Sequence, residues 1–123
     1  MKLVTYAAST GEARVGVQRD NAVIDIAAAA EARGIDLPKT VLGILEAGPA
    51  AIEHVRWLSE DANAATFQVS DPRLLAPIPR PPKVLGLAGN FVAHIIEGGE
   101  QPRPKEGATP DVFLMPSSSV IGP

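Results

Sequence analysis

Short β-prone runs split by turn residues, helical stretches rich in alanine and leucine, and a later apolar run behind a proline-rich connector predict an α+β chain. The connector separates two unlike parts. Of 12 prolines only Pro38 and Pro49 precede position 70, whereas seven of the rest, Pro72 through Pro104, crowd the next stretch and three more close the chain at Pro110, Pro116 and Pro123. This distribution predicts a small α+β domain over 1–70, a connector over 71–82 and the beginning of a second domain over 83–123.

In the first part, Leu3–Ala7 and residues 14–18 are strand candidates on either side of the turn signal Ser9-Thr10-Gly11-Glu12. Asp20-Asn21 then separates the second run from a third, Val23-Ile24-Asp25-Ile26. Residues 27–33 form helix readily and stop at Gly34, and Thr40 can cap a second short helix with Val41, Leu42 and Leu45 on its apolar side. Pro49 suits the first turn of a third helix. There Ala51, Ile52, Val55 and Leu58 recur at helical spacing, leaving Glu53, Arg56 and Glu60 for solvent. Residues 64–69 read as a strand, and the prolines of 71–82 hold the chain extended. Val84-Leu85-Gly86-Leu87-Ala88 reads as a strand buried on both faces, Asn90 as the cap of a helix over 91–97 ended by Gly98-Gly99, residues 100–111 as a mobile polar loop, and Val112-Phe113-Leu114-Met115 as a last strand. Two strands and one short helix cannot cover each other's faces, so the chain is expected to be part of a longer protein or to be completed by partner chains.

Composition narrows the function classes. With 123 residues, 11 Lys+Arg against 14 Asp+Glu and a net charge of −3, the chain has one modest core and no basic run to attract nucleic acid or an anionic membrane. The absence of cysteine excludes disulfides, thiol nucleophiles and zinc-thiolate sites, and suits the cytoplasm, where the chain is expected to reside without a targeting segment. No stretch approaches the roughly 18 apolar residues of a membrane span.

Chemistry is best placed on the strand, Gly-Asn and short-helix unit. His94 and Glu97 stand three apart on one helix face, where a carboxylate can hold one imidazole nitrogen and leave the other as a base. The same spacing also produces exposed surface pairs, and the sequence alone leaves both readings open. Ser117, Ser118 and Ser119 can donate to a carboxylate ligand or simply form a loop. His54 reads as a solvated helix residue and Trp57 as packing at the edge of the first domain. The acidic residues after the pair are Glu100, Glu106 and Asp111, too few for a well-formed Mg²⁺ site.

Six runs of residues resemble one family. Lys2-Leu3-Val4-Thr5-Tyr6, Arg14-Val15-Gly16-Val17 and Val23-Ile24-Asp25-Ile26-Ala27 are similar to the amino-terminal domain of the fumarylacetoacetate hydrolase family. The connector from Leu75 to Leu87, the run Gly89-Asn90-Phe91-Val92-Ala93-His94-Ile95-Ile96-Glu97 and the closing Phe113-Leu114-Met115-Pro116-Ser117-Ser118-Ser119-Val120-Ile121-Gly122-Pro123 resemble the start of its catalytic domain. The resemblance implies a mixed β-sandwich roll begun in this chain, a homodimer, and Mg²⁺- or Mn²⁺-dependent hydrolysis of a C–C bond in a β-diketo or 2-oxo acid. His94 would be the general base and Glu97 its partner, with Asn90, Phe91, Met115, Ser117 and Ser118 about the substrate. Isomerase, hydratase and 2-oxo acid decarboxylase chemistry occur on the same fold, and a non-catalytic assembly module is the other alternative. Phe91 and Met115 replace the usual tyrosine and lysine, and Ala88 and Gly89 are atypical. The family's metal-binding Glu-x-Glu pair and later aspartate fall beyond the equivalent of Pro123, so this chain alone is expected to be inactive.

Overall fold

Alternating apolar and polar residues at the start of the chain produce an antiparallel meander of β1 (Leu3–Ala7), β2 (Ala13–Arg19) and β3 (Ala22–Asp25). The β2–β3 turn uses Asp20 at a φ of 49°, a left-handed conformation that aspartate tolerates better than most residues. The computed structural model describes residues 1–61, 63–102, 104, 106–107 and 109–123. They form two units, Met1–Arg80 with Val120–Pro123, and Pro81–Ser119.

In the first unit β3 ends at Asp25 and α1 (Ile26–Glu31) begins at once, so Ile26 is helical rather than the last strand residue expected. The cause is the Asp25 carboxylate, which accepts from Ala28 N at 2.9 Å and starts the helix one residue early. Gly34, at a φ of 64°, ends the following turn, with the Ile35 amide donating back to Ala30 O. Thr40 caps α2 (Val41–Glu46) as expected, its Oγ1 accepting from Gly43 N at 3.0 Å. The buried face of α2 is Val41 and Ile44, however, and Leu45 is exposed, because a three-residue step carries position 44 inward and the next residue turns away. In α3 (Pro49–Glu60) Pro49 occupies the first turn, and Ala51, Val55 and Leu58 are buried with Ile52 packed beside them.

The expected strand over 64–69 is mostly a 3-10 turn, Ala64–Phe67, whose Ala64 is drawn into the core; only Gln68–Ser70 forms β4. Within the proline-rich stretch, Arg73–Leu75 forms β5 on the outer edge of β1. Pro72 and Pro77 bracket these residues, leaving three consecutive amides in an already extended segment free to pair. The sheet order is therefore β4-β3-β2-β1-β5, antiparallel throughout.

One sheet face, with Val15, Val17 and Ile24, packs beneath the helices against Ile26, Ile44, Val55 and Leu58, each full burial contributing about 1.5–3 kcal/mol. On the other face Val4, Tyr6 and Val23 gather Val69 and Leu74. A side chain at Gly16 would run into Val23 Cγ1 and stand 2.8 Å from Ile24 O, so only glycine lets β2 and β3 close there.

Asp25 ties the sheet to its first helix. Its Oδ2 accepts from Tyr6 OH at 2.7 Å and lies 2.8 Å from Arg14 Nε, while Oδ1 accepts from Arg14 Nη2 at 3.2 Å as well as from Ala28 N. Burial, then the bond to Asp25, pushes the Tyr6 phenol well above its ordinary range, and the bond to Asp25 raises the Arg14 guanidinium further.

The second unit is a two-stranded ribbon, β6 (Val84–Leu87) with β7 (Val112–Met115), joined through α4 (Val92–Glu97) and followed by a 3-10 turn at Ser117–Ser119. The strand expected to be buried on both faces is present but uncovered: Leu85 and Leu87 are exposed, as are all four residues of β7. Two strands offer two faces, and this unit supplies no layer to cover them. Of the loop expected over 100–111, positions 103, 105 and 108 lie outside the described residues, and the others are exposed except half-buried Pro102.

Asp25→Ala is expected to cost about 2–4 kcal/mol in urea unfolding, since it removes a helix cap and leaves Arg14 and Tyr6 without their acceptor. Because the folded Tyr6 pKa is raised, its contribution is complete below the ordinary tyrosine value of about 10 and is lost as pH rises beyond it. Tyr6→Phe should flatten this alkaline arm of the stability profile in thermal melts, at a cost of about 1 kcal/mol near neutrality.

Candidate active site

The β6 backbone delivers the chain to the turn Ala88-Gly89, where Ala88 N donates to Asp111 O at 2.9 Å and Gly89 takes a φ of 58°. Asn90, expected to cap the next helix, sits one residue too early. Phe91 is the cap residue of α4, in extended conformation and with no side-chain cap bond, because the first helical bond runs from Ile95 N to Phe91 O. At the other end the Gly99 amide returns to Ile96 O and the Glu100 amide to Ile95 O, with Gly99 at a φ of 78°, so the glycine pair stops the helix as expected.

On this one-and-a-half-turn helix His94 Nδ1 stands 3.7 Å from Glu97 Oε2, with the two side chains 80% and 77% exposed. The pair shares a face as its spacing requires, and the imidazole Nε2 is left open. The contact is an electrostatic pairing rather than a hydrogen bond at this distance. Phe91 is 73% exposed beside it in sequence, and α4 has no buried residue.

Met115 closes β7 opposite Val84. On the same ribbon face the Phe113 ring lies over Gly86, where any Cβ would collide with it. Ser117 Oγ donates to Pro81 O at 2.6 Å and Ser119 Oγ to Pro116 O at 2.7 Å, so both fasten the turn that follows β7. Ser118 is exposed and makes no hydrogen bond among the described residues. Of the residues singled out by sequence, the structure brings His94 and Glu97 together; no hydrogen bond or ion pair among the described residues joins Ser117 or Ser118 to them. His54 is exposed on α3, and Trp57 lies at the edge of the first unit under the Arg33 guanidinium, 4.8 Å from the ring centroid. Arg33 also pairs with Asp61 at 2.5 Å; the Asn63 amide, then Arg33, hold the Asp61 carboxyl below its ordinary range. Sequence reading passed over the Tyr6, Arg14 and Asp25 cluster, whose signal was an aspartate placed directly before an alanine-rich helix.

No family model matches the chain. It is 31% identical over 126 residues to a Xenopus laevis protein named oxaloacetate tautomerase fahd2, mitochondrial, a match that takes in the whole of this chain and 37% of that protein. It is 39% identical over 90 residues to human oxaloacetate tautomerase FAHD2A, mitochondrial, covering 71% of this chain and 26% of the human protein. A Pongo abelii protein named fumarylacetoacetate hydrolase domain-containing protein 2 matches to the same degree, at 39% over 90 residues.

The chain is similar to members of the fumarylacetoacetate hydrolase family. It spans about a third of the frog relative and about a quarter of the human one. Divalent metals are common in the fumarylacetoacetate hydrolase family, but no group of three or more His, Asp or Glu among the described residues can hold an ion. These residues therefore do not make a metal site by themselves. Two relatives are named as mitochondrial, against the cytoplasmic location expected from composition; no helix among the described residues is long and apolar enough to cross a membrane.

The exposure of His94 and Glu97 separates their role in stability from any role in chemistry. A double-mutant cycle with His94→Ala and Glu97→Ala is expected to give a coupling of no more than about 0.5 kcal/mol in unfolding experiments, with an unchanged melting temperature for either single variant.

Proposed function

We propose that this chain is the amino-terminal part of an enzyme, working as a homodimer, that interconverts the keto and enol forms of an oxaloacetate-like 2-oxo acid. What carries the reading is the similarity to proteins named oxaloacetate tautomerases, one of which matches across the whole chain and hence through α4. In this reading residues 83–123 begin the catalytic part and carry the reacting residues, residues 1–70 form the accessory domain, and 71–82 connect them.

Tautomerisation shifts one proton between C3 and the C2 oxygen, breaks no bond between heavy atoms and consumes no water. It needs a group that accepts a proton from carbon and returns one to oxygen. His94 fills that role with its open ring nitrogen: the imidazole takes the C3 proton, and the resulting imidazolium protonates the enolate oxygen. Glu97, 3.7 Å from the other nitrogen, is a positioning residue that favours the orientation and compensates the transient positive charge. Asn90, the Phe91 ring, Met115 and Ser117 border the substrate, and the unpaired Ser118 hydroxyl is the donor free to meet a carboxylate. Met115 brings no cation to hold the developing enolate, so the proton returned by His94 is what quenches its charge. A divalent cation, Mg²⁺ or Mn²⁺, belongs to the same reading, with its carboxylate ligands outside this chain.

In the full-length protein His94→Gln is expected to lower kcat for oxaloacetate tautomerisation by about 10²–10⁴-fold with little change in KM. Added imidazole should restore part of the rate to His94→Gly, and Glu97→Gln should lower kcat by about tenfold. An unchanged kcat in His94→Gln would remove this residue from the mechanism.

A further inference from the structure

The first unit contains a cavity of about 260 Å³ that no part of the proposed chemistry uses, between the end of the sheet, the start of α2 and the segment after β5. Its walls are Val15, Val41, Leu42, Pro77, Ile78 and Pro79. Pro77 and Pro79 fix the backbone φ at two positions of that bent segment, which limits how far this wall can move. Every charged residue on the lining is cationic: Arg14, Lys39 and Arg80. Arg14 is engaged by Asp25, whereas Lys39 and Arg80 make no ion pair or hydrogen bond among the described residues and are exposed at the rim. The Thr40 hydroxyl beside them accepts from Gly43 N and keeps its own proton to donate, while Thr5 already gives its proton to Pro77 O at 2.7 Å. In a chain of net charge −3, an apolar hollow rimmed by free cations and a free hydroxyl donor, with no carboxylate on its lining, is selective by sign.

We propose that this cavity binds a small amphipathic carboxylate, its aliphatic or single-ring body against Val15, Val41, Leu42 and Ile78 and its anionic head between Lys39 and Arg80. The volume lies just below the roughly 300–1,000 Å³ of sites for drug-sized ligands, which limits the body to a short chain or one ring. A second hollow in this unit, lined by Arg19, Asp20, Asn21, Ala22, Gln68, Ser70 and Asp71, mixes both signs of charge, so it has no such preference.

The test titrates the ¹⁵N-labelled 123-residue chain with hexanoate, hexanol and hexylamine, following amide shifts by NMR, with equilibrium dialysis of labelled hexanoate as a readout that does not depend on the association state. Saturable shifts at Thr5, Val15, Val41, Leu42 and Ile78 are expected, with hexanoate about tenfold tighter than hexanol and hexylamine weaker still. Lys39→Glu combined with Arg80→Glu, both at exposed positions, should abolish the preference for hexanoate and leave hexanol unaffected. No saturable binding, equal affinity for hexylamine, or shifts confined to other surfaces would overturn the proposal.

Discussion

The Asp25 carboxylate is the constraint on which the first unit depends. A single buried group ends β3, starts α1 and joins β1 and β2 through Tyr6 and Arg14, so strand pairing and helix placement are decided together. A carboxylate this enclosed is tolerable only because every bond it needs is made: two from Arg14 and Tyr6 across the sheet, and one from the first turn of the helix. Gly16 complements it on the same face, since its missing side chain leaves space for Tyr6 and Val23 to close on β2. Together they account for a sheet that packs apolar residues on both faces in so short a domain.

Much of this was legible in the residues. Turn chemistry at Gly11 and Asp20, the Thr40 cap, Pro49 in a first turn and the spacing of Ala51, Val55 and Leu58 are local signals, and the structure follows them. What was not legible depended on tertiary contacts. β5 is a strand because β1 has an open edge beside it, which no proline count reveals. The 3-10 turn over Ala64–Phe67 carries Ala64 into the core, and in α2 it is Ile44 rather than Leu45 that the packing buries. The β6 run was written for burial, yet burial requires a second layer, and a local apolar pattern says nothing about where that layer comes from.

The candidate site shows the same division. Spacing alone brought His94 and Glu97 to one face, and the α4 geometry keeps them adjacent with one ring nitrogen open. Neither spacing nor geometry could choose between a surface pair and a base with its partner; the similarity to oxaloacetate tautomerases is what favours the second. It also favours a reaction in which only a proton moves, the kind of chemistry an imidazole and a carboxylate can perform between them.

The most direct measurement is ¹H NMR of oxaloacetate in D₂O with the full-length protein, which reads proton exchange at C3 and the fate of the carbon skeleton in one experiment. C3 exchange and keto–enol equilibration faster than the uncatalysed rate are expected, with all four carbons retained. Cleavage to smaller acids, or exchange no faster than in buffer, would contradict the proposed tautomerisation.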